Sequence, residues 1–224
     1  MEVPWILYVT AASTGFPVVT GVFARQRLSS ARRWVLAWAA LATAATIAQR
    51  VIAYAGYSNL WLSYITLPGS CVLALAAFSL WQTRELLRQV IRAAIPVSLL
   101  AGIALVLLVE DTGSFSAIAA PMFALVGLGA SLLTLVTRAS DEPESLLRQD
   151  WFWITTGMAL YFGALAALMP MARLLIGAHA ELVNRAWQLW GASAIVANGA
   201  IAVGMLCPNP SLPQPSGASS PPAP

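Results

Sequence analysis

The sequence contains no lysine and a single histidine, His179. Because retinal proteins hold their chromophore through a lysine Schiff base, the missing lysine excludes that class of photoreceptor. One histidine cannot supply both axial ligands of a bis-histidine haem or the ligand cluster of a zinc site. The sequence also lacks the nucleophile-elbow, metalloprotease and phosphate-loop motifs. It therefore predicts no cofactor, no metal site and no enzymatic activity.

Charged residues are scarce as well, at 9% of the 224 residues, whereas 59% are hydrophobic. A soluble domain has about 25% charged residues, and so much apolar surface cannot be buried inside so small a soluble fold. The apolar stretches are continuous rather than alternating, which favours helices over a membrane barrel. The net charge of +3 is attributed to arginines beside these stretches and does not indicate nucleic-acid binding. The expected solvent is the lipid bilayer.

Seven apolar stretches are close to the roughly 20 residues that a helix needs to cross a bilayer. The predicted spans are 4–24, 34–54, 60–83, 93–109, 115–137, 151–176 and 185–206. The sequence therefore predicts an all-α integral membrane fold, a bundle of seven transmembrane helices formed by residues 1–207. Residues 208–224 are rich in proline and uncharged, which predicts a disordered cytoplasmic tail.

The arginines fall mostly in every second gap between these spans. Nine lie in the gaps after the first, third and fifth spans, and three lie on the opposite side. The nine are Arg25, Arg27, Arg32, Arg33, Arg84, Arg88, Arg92, Arg138 and Arg148, and the three are Arg50, Arg173 and Arg185. Because short arginine-rich loops stay in the cytoplasm, the pattern predicts an outer N-terminus and a cytoplasmic C-terminus.

Five of the inner arginines form a candidate surface. Arg84, Arg88 and Arg92 recur every four residues and therefore share one helix face, while Arg32 and Arg33 precede the second span. One interpretation is that they set the topology and contact anionic lipid. The other is that they form a docking face for a cytoplasmic signalling protein. Both interpretations place these side chains on the accessible inner surface.

Polar residues near the outer ends of the spans form a candidate ligand site. They are Gln49, Arg50, Arg173, Arg185 and Gln188. The simpler interpretation is that the arginines snorkel to the interface and form surface ion pairs with nearby acids such as Glu110. The alternative is an outward-facing pocket for an anionic or amphipathic ligand. Arg50 favours the pocket, because a charge below the interface is costly and usually faces protein or a cavity.

Three further polar residues lie deeper in the predicted bundle. Asn198 is near the centre of the seventh span, Tyr161 is in the sixth, and Tyr64 is nearer the outer end of the third. Hydrogen bonds between helices would explain all three. The alternative is that they contact a ligand or a conformational switch, and they are therefore included among the candidate ligand-binding residues.

Three segments together carry a resemblance: 59–64, 152–162, and 187–190 followed by Ala197-Asn198. They resemble a group of uncharacterised bacterial seven-helix membrane proteins, some of which look like the membrane sensor regions of histidine-kinase systems. The resemblance implies a sensory role in the bacterial inner membrane and transfers no catalytic residue. Because these 224 residues contain no kinase domain, the expected signal passes through a partner.

Two functions follow as leading hypotheses. The first is a receptor-like sensor that binds a ligand from the outer side and signals to a cytoplasmic or membrane partner. The second is a structural or assembly subunit of a membrane complex. A small transporter or a membrane enzyme is disfavoured, because the acids all lie at span ends or in loops rather than inside the predicted bundle.

Overall fold

Residues 5–110, 113, 116–141, 146–175 and 180–208 are described by the computed structural model, without the side chains of 172–175, 180 and 183. The side chain of Arg173 and almost all of the predicted tail therefore lie outside the described residues. The described chain contains eight α-helices and no β-strand. They are α1 (Trp5–Ser13), α2 (Gly15–Phe23), α3 (Ser30–Tyr54), α4 (Ser63–Trp81), α5 (Glu85–Leu108), α6 (Ala119–Asp141), α7 (Asp150–Leu175) and α8 (Ala180–Leu206).

Seven helical stretches of the described chain are long and apolar enough to cross a membrane. They are Trp5–Phe23, Ser30–Tyr54, Leu60–Trp81, Glu85–Leu108, Ala119–Asp141, Asp150–Met171 and Asn184–Leu206. This confirms the all-helical fold with seven apolar helices that the sequence predicts. Three helices begin four or more residues before their predicted spans, at Ser30, Glu85 and Ala180, because the helix continues through polar turns that hydropathy does not mark.

The first span is interrupted at Thr14, which separates α1 from α2. Pro17 has no N–H and cannot donate to the carbonyl of Ser13, so the regular helical ladder is broken here. At the break the Thr14 hydroxyl donates to the Ala11 carbonyl at 2.8 Å. The Thr43 hydroxyl of α3 donates to the Thr14 carbonyl at 2.8 Å, which fixes the break against the neighbouring helix.

Six spans form a closed ring in the order α1/α2, α3, α4, α6, α7 and α8, with α8 packed against both α1 and α2. The fourth span, α5, packs against α4 and α6 from outside the ring. The contact between α7 and α8 is close at Gly157, where an added Cβ would lie 2.6 Å from the Ala197 carbonyl oxygen. The largest buried aromatic side chains, Trp38, Phe78 and Trp151, fill the ring.

We call the end of the bundle at which α2 ends and α3 begins the arginine-rich end. We call the opposite end, at which α3 ends and α4 begins, the far end. At the arginine-rich end Arg32 is only 1% exposed. Its Nε donates to Asp150 Oδ2 at 2.5 Å, and its Nη1 donates to the Cys207 carbonyl at 2.7 Å. These contacts, called the Arg32 clamp, join the first turn of α3 to the start of α7 and the end of α8.

The prediction that Arg32 belongs to the accessible inner surface is wrong, because its guanidinium is buried in the clamp. The other four arginines of that surface differ from it. Arg33, Arg84 and Arg92 are exposed, and Arg88 is partly exposed and pairs with Glu85 at 2.7 Å. Whether they contact lipid or a partner stays a prediction.

A second buried polar group at the arginine-rich end was not anticipated from the sequence. Gln82, 2% exposed, follows α4 directly. Its side-chain amide donates to the Thr134 hydroxyl at 2.9 Å and accepts from the Thr137 hydroxyl at 3.1 Å. Its carbonyl accepts from Arg88 Nη2 at 2.9 Å. Gln82 therefore joins the end of α4 to α6.

Candidate functional site

A cavity of about 290 Å³ lies between α3, α4, α6, α7 and α8 in the half of the bundle toward the far end. Because these five helices belong to the ring, we call it the ring cavity. Its volume is close to the lower end of the roughly 300–1,000 Å³ that is usual for small-molecule sites. Its wall includes the polar residues Thr46, Gln49, Asn59, Ser63 and Tyr161 and the aromatic residues Trp187 and Trp190.

The turn between α3 and α4 positions the polar rim of the ring cavity. Gly56 has a φ of +80°, a conformation that suits glycine and lets the chain reverse after α3. The Asn59 amide then donates to the Gln49 carbonyl at 2.9 Å, which ties the turn back to the last part of α3. The Ser63 hydroxyl donates to the Leu60 carbonyl at 2.6 Å. The rim is therefore held by local hydrogen bonds.

Two polar groups of the wall have no such partner. Neither the Gln49 side-chain amide nor the Tyr161 hydroxyl makes a hydrogen bond within the described residues. The indole N–H of Trp190 is buried and also has no acceptor there. Polar groups in a mostly apolar surrounding are costly to leave without partners. The ring cavity can therefore offer donors and an acceptor to a bound molecule.

Aromatic contacts hold the side of the cavity formed by α7 and α8. The Tyr161 ring packs edge-to-face on Trp38, with ring centroids 5.1 Å apart and an interplanar angle of 89°. Trp187 and Trp190 pack in the same way at 5.7 Å. Such pairs fix ring orientation, because the edge of one ring is attracted to the face of the other.

The ring cavity has no charged residue among its described lining residues. It also contains no nucleophile paired with a base, because its polar groups are amides, hydroxyls and indoles. The arrangement therefore suits binding of an uncharged molecule through hydrogen bonds and aromatic contact.

The two candidate arginines with described side chains, Arg50 and Arg185, do not line this cavity. Arg50 Nη2 donates to the Leu7 carbonyl at 2.6 Å, and its guanidinium lies 5.2 Å from the centre of the Tyr8 ring. Arg185 is exposed and pairs with Glu181 at 2.6 Å. The side chain of Arg173 lies outside the described residues. The geometry thus gives no support to a shared arginine pocket for an anion.

Glu110 makes contacts other than the ion pairs considered for it. Its Oε1 accepts from the backbone N–H groups of Ala117 and Ile118, both at 2.6 Å, just before α6 begins. Its Oε2 accepts from the Ser116 hydroxyl at 2.9 Å. A carboxylate at this position satisfies N–H groups that have no helical partner and favours the positive end of the helix dipole.

The remaining candidate residues lie in different places. Gln49 and Tyr161 line the ring cavity, while Tyr64 lines a neighbouring groove beside α5. The Asn198 amide donates to the Ser13 hydroxyl at 3.0 Å, so it joins α8 to α1 and not to Tyr161. Gln188 is half-buried on α8 and lies outside the cavity wall. Of the seven candidates whose side chains are described, the structure therefore groups two in one cavity.

Four further residues of the cavity wall carry a partial signal in the sequence. Asn59, Ser63, Trp187 and Trp190 all line the ring cavity. They lie in the segments 59–64 and 187–190 that carry the resemblance, but neutral polar and aromatic residues are common at span ends, so their positions alone do not indicate a site.

The chain matches no protein-family model, no curated protein and no solved structure. The resemblance to sensor regions of histidine-kinase systems therefore stays a prediction.

Proposed function

We propose that the protein is a membrane sensor module that binds an uncharged ligand in the ring cavity and signals through its arginine-rich end. The observation that carries this proposal is the ring cavity, whose wall has unpaired amide, hydroxyl and indole groups and no described charged residue. A purely structural subunit has no need for a cavity with unpaired polar groups. A transporter would need ionisable groups or a second access route in the ring.

The proposed topology follows the positive-inside rule. With the arginine-rich end in the cytoplasm, the N-terminus is outside and the ring cavity lies in the outer half of the bilayer. The expected location is a bacterial inner membrane. Arg33, Arg84 and Arg92, which are exposed at the arginine-rich end, then face anionic lipid or a signalling partner.

The connection between the two ends supports a sensor. The helices α3, α7 and α8 line the ring cavity, and the same three helices meet in the Arg32 clamp. A ligand that binds two arrangements of these helices with different affinity shifts the balance between them. Movement of α7 or α8 at the cavity is then transmitted to the clamp as a change in its contacts.

Native mass spectrometry of the full chain in lipid nanodiscs tests the proposal. We expect the wild-type protein to carry a small-molecule adduct from the host membrane. Ala45 lines the cavity, whereas Ala44 on the same helix is exposed. Ala45→Phe fills the cavity and should remove the adduct, and Ala44→Phe should keep it. An empty wild-type protein that carries a stoichiometric protein partner would contradict the proposal and favour an assembly subunit.

A further inference from the structure

A second cavity, which we call the side groove, lies beside the ring cavity. It has a volume of about 360 Å³ and is formed by α4, α5 and α6. Its wall is almost entirely apolar and includes Leu67, Leu99, Val106 and Phe123. Ile65 and Ile103 also line it and are 61% and 56% exposed, so the groove reaches the outer surface of the bundle. In the proposed membrane orientation that surface faces the acyl chains of the bilayer.

The two cavities share part of their walls. Ser63, Leu67, Ser116 and Ala120 line both of them. Three of these four side chains are small, and Leu67 is the one bulky group among the described residues that the two walls share. Ser116 is held in place, because its hydroxyl donates to Glu110 Oε2 and accepts from the Ala120 N–H at 2.8 Å. The ring cavity, with its polar wall groups, therefore lies directly beside the apolar side groove.

We propose that the two cavities together bind a neutral single-chain lipid, such as a monoacylglycerol. The proposal rests on the proposed function and specifies its ligand. The uncharged head group occupies the ring cavity and bonds to Gln49 and Tyr161. The acyl chain passes Ser63 and Ser116 and lies in the side groove, and the lipid enters from the bilayer between α4 and α5.

The chemistry of the walls selects this class of molecule. An ionised head group would lose its hydration in the ring cavity, and that loss is costly because no described residue of the wall carries an opposite charge. A head group with hydroxyl or ester oxygens matches the amide, hydroxyl and indole groups of the wall. A single apolar groove adjoining the ring cavity accommodates one chain. In the groove the chain packs against apolar side chains instead of the acyl chains of the bilayer.

Competition photolabelling of the full chain in nanodiscs tests the assignment. The label is a monoacylglycerol with a diazirine near the end of its chain, and the competitors are 1-oleoylglycerol, oleate and the short 1-butyrylglycerol. Ile103→Trp narrows the side groove. Leu100→Trp is the matched control, because Leu100 is 68% exposed on the same helix and lies outside the groove wall. Ala45→Phe fills the ring cavity.

We expect crosslinks in peptides that contain Ile103 or Phe123, which line the side groove and not the ring cavity. Ile103→Trp should weaken competition by 1-oleoylglycerol at least about tenfold, which corresponds to about 1.4 kcal/mol. Ile103→Trp should leave the competition by 1-butyrylglycerol unchanged. Leu100→Trp should leave the competition by both compounds unchanged. Ala45→Phe should weaken both. Because both α5 positions are exposed, their thermal midpoints should match the wild type, which separates lost binding from lost folding.

The outcomes separate the lipid assignment from the proposed sensor. If 1-butyrylglycerol competes in an Ala45-dependent way but Ile103→Trp and Leu100→Trp behave alike, the ring cavity binds a ligand and the side groove does not. Stronger competition by oleate than by 1-oleoylglycerol would overturn the neutral head group. If Ala45→Phe changes no competition and the wild type carries no adduct, the proposed sensor function itself fails.

Discussion

Arg32 donates from Nε to Asp150 at 2.5 Å although the two residues are 118 positions apart and Arg32 is only 1% exposed. Its other nitrogens donate to the carbonyls of Cys207 and Pro208 at 2.7 and 3.4 Å. A buried charge needs such partners, because removing one of them leaves the other charge uncompensated. The Arg32 clamp therefore fixes the ends of three helices at one point.

Removing either charge of the clamp should destabilise the protein strongly. We expect Arg32→Met and Asp150→Asn each to lower the free energy of unfolding by about 3–5 kcal/mol, the usual cost of breaking a buried pair. Thermal unfolding in detergent measures the loss. Arg33→Met is the matched control, since Arg33 is exposed, and it should leave the midpoint almost unchanged. Equal midpoints for Arg32→Met and Arg33→Met would show that the clamp contributes nothing.

Arg32 and Arg33 also show what the sequence could and could not predict. Hydropathy identified seven helices, because length and apolar composition are properties of each stretch alone. The rotation of a helix about its axis and the partner of a charge depend on other helices. Arg32 is consequently buried while its neighbour Arg33 is exposed. The pairing of Arg32 with an acid far along the chain leaves no local signal in the sequence.

Gln82 should stabilise the contact between the end of α4 and α6. Gln82→Leu removes a buried amide that bonds to Thr134 and Thr137. We expect a loss of about 1–3 kcal/mol, because the threonine hydroxyls lose a partner inside the protein. Gln89→Leu is the control, since Gln89 is exposed. Chemical denaturation measures both variants, and a smaller loss at Gln82 than at Gln89 would contradict the inferred role.

The candidate site was predicted only in part for a related reason. A charge near an apolar span is costly and therefore indicates a site, yet Arg50 and Glu110 are held in local contacts. Arg50 bonds to the Leu7 carbonyl, and Glu110 bonds to N–H groups before α6. The ring cavity instead depends on neutral groups such as Gln49 and Asn59. These groups converge because of helix packing and the turn after α3. Neither of these can be read from a single stretch of the sequence.

The thiol of Cys207 should react slowly with maleimide at neutral pH. Burial raises the pKa of Cys207, Arg32 opposes this shift, and Asp150 adds to it. Since the thiolate is the reactive form, a raised pKa lowers its population and moves the rise in rate to higher pH. Labelling rates against pH in a Cys71→Ala background test this. Denaturation in urea should return the midpoint to its ordinary value, and a native midpoint at or below that value would contradict the shift.

The close contact of α7 with α8 should make Gly157 intolerant of a side chain. A Cβ there would lie 2.6 Å from the Ala197 carbonyl oxygen, which belongs to backbone and cannot rotate away. We expect Gly157→Ala to lower stability by about 1–3 kcal/mol, as overpacking does. At Gly199 on α8 an added Cβ meets nothing within 4 Å. Gly199→Ala should therefore be neutral or gain up to about 1 kcal/mol from helix propensity.

Thermal unfolding compares the two variants, and equal effects would mean that α7 and α8 do not approach this closely. Because α7 and α8 also form part of the ring cavity wall, a destabilised Gly157→Ala protein should lose the native adduct that Gly199→Ala keeps.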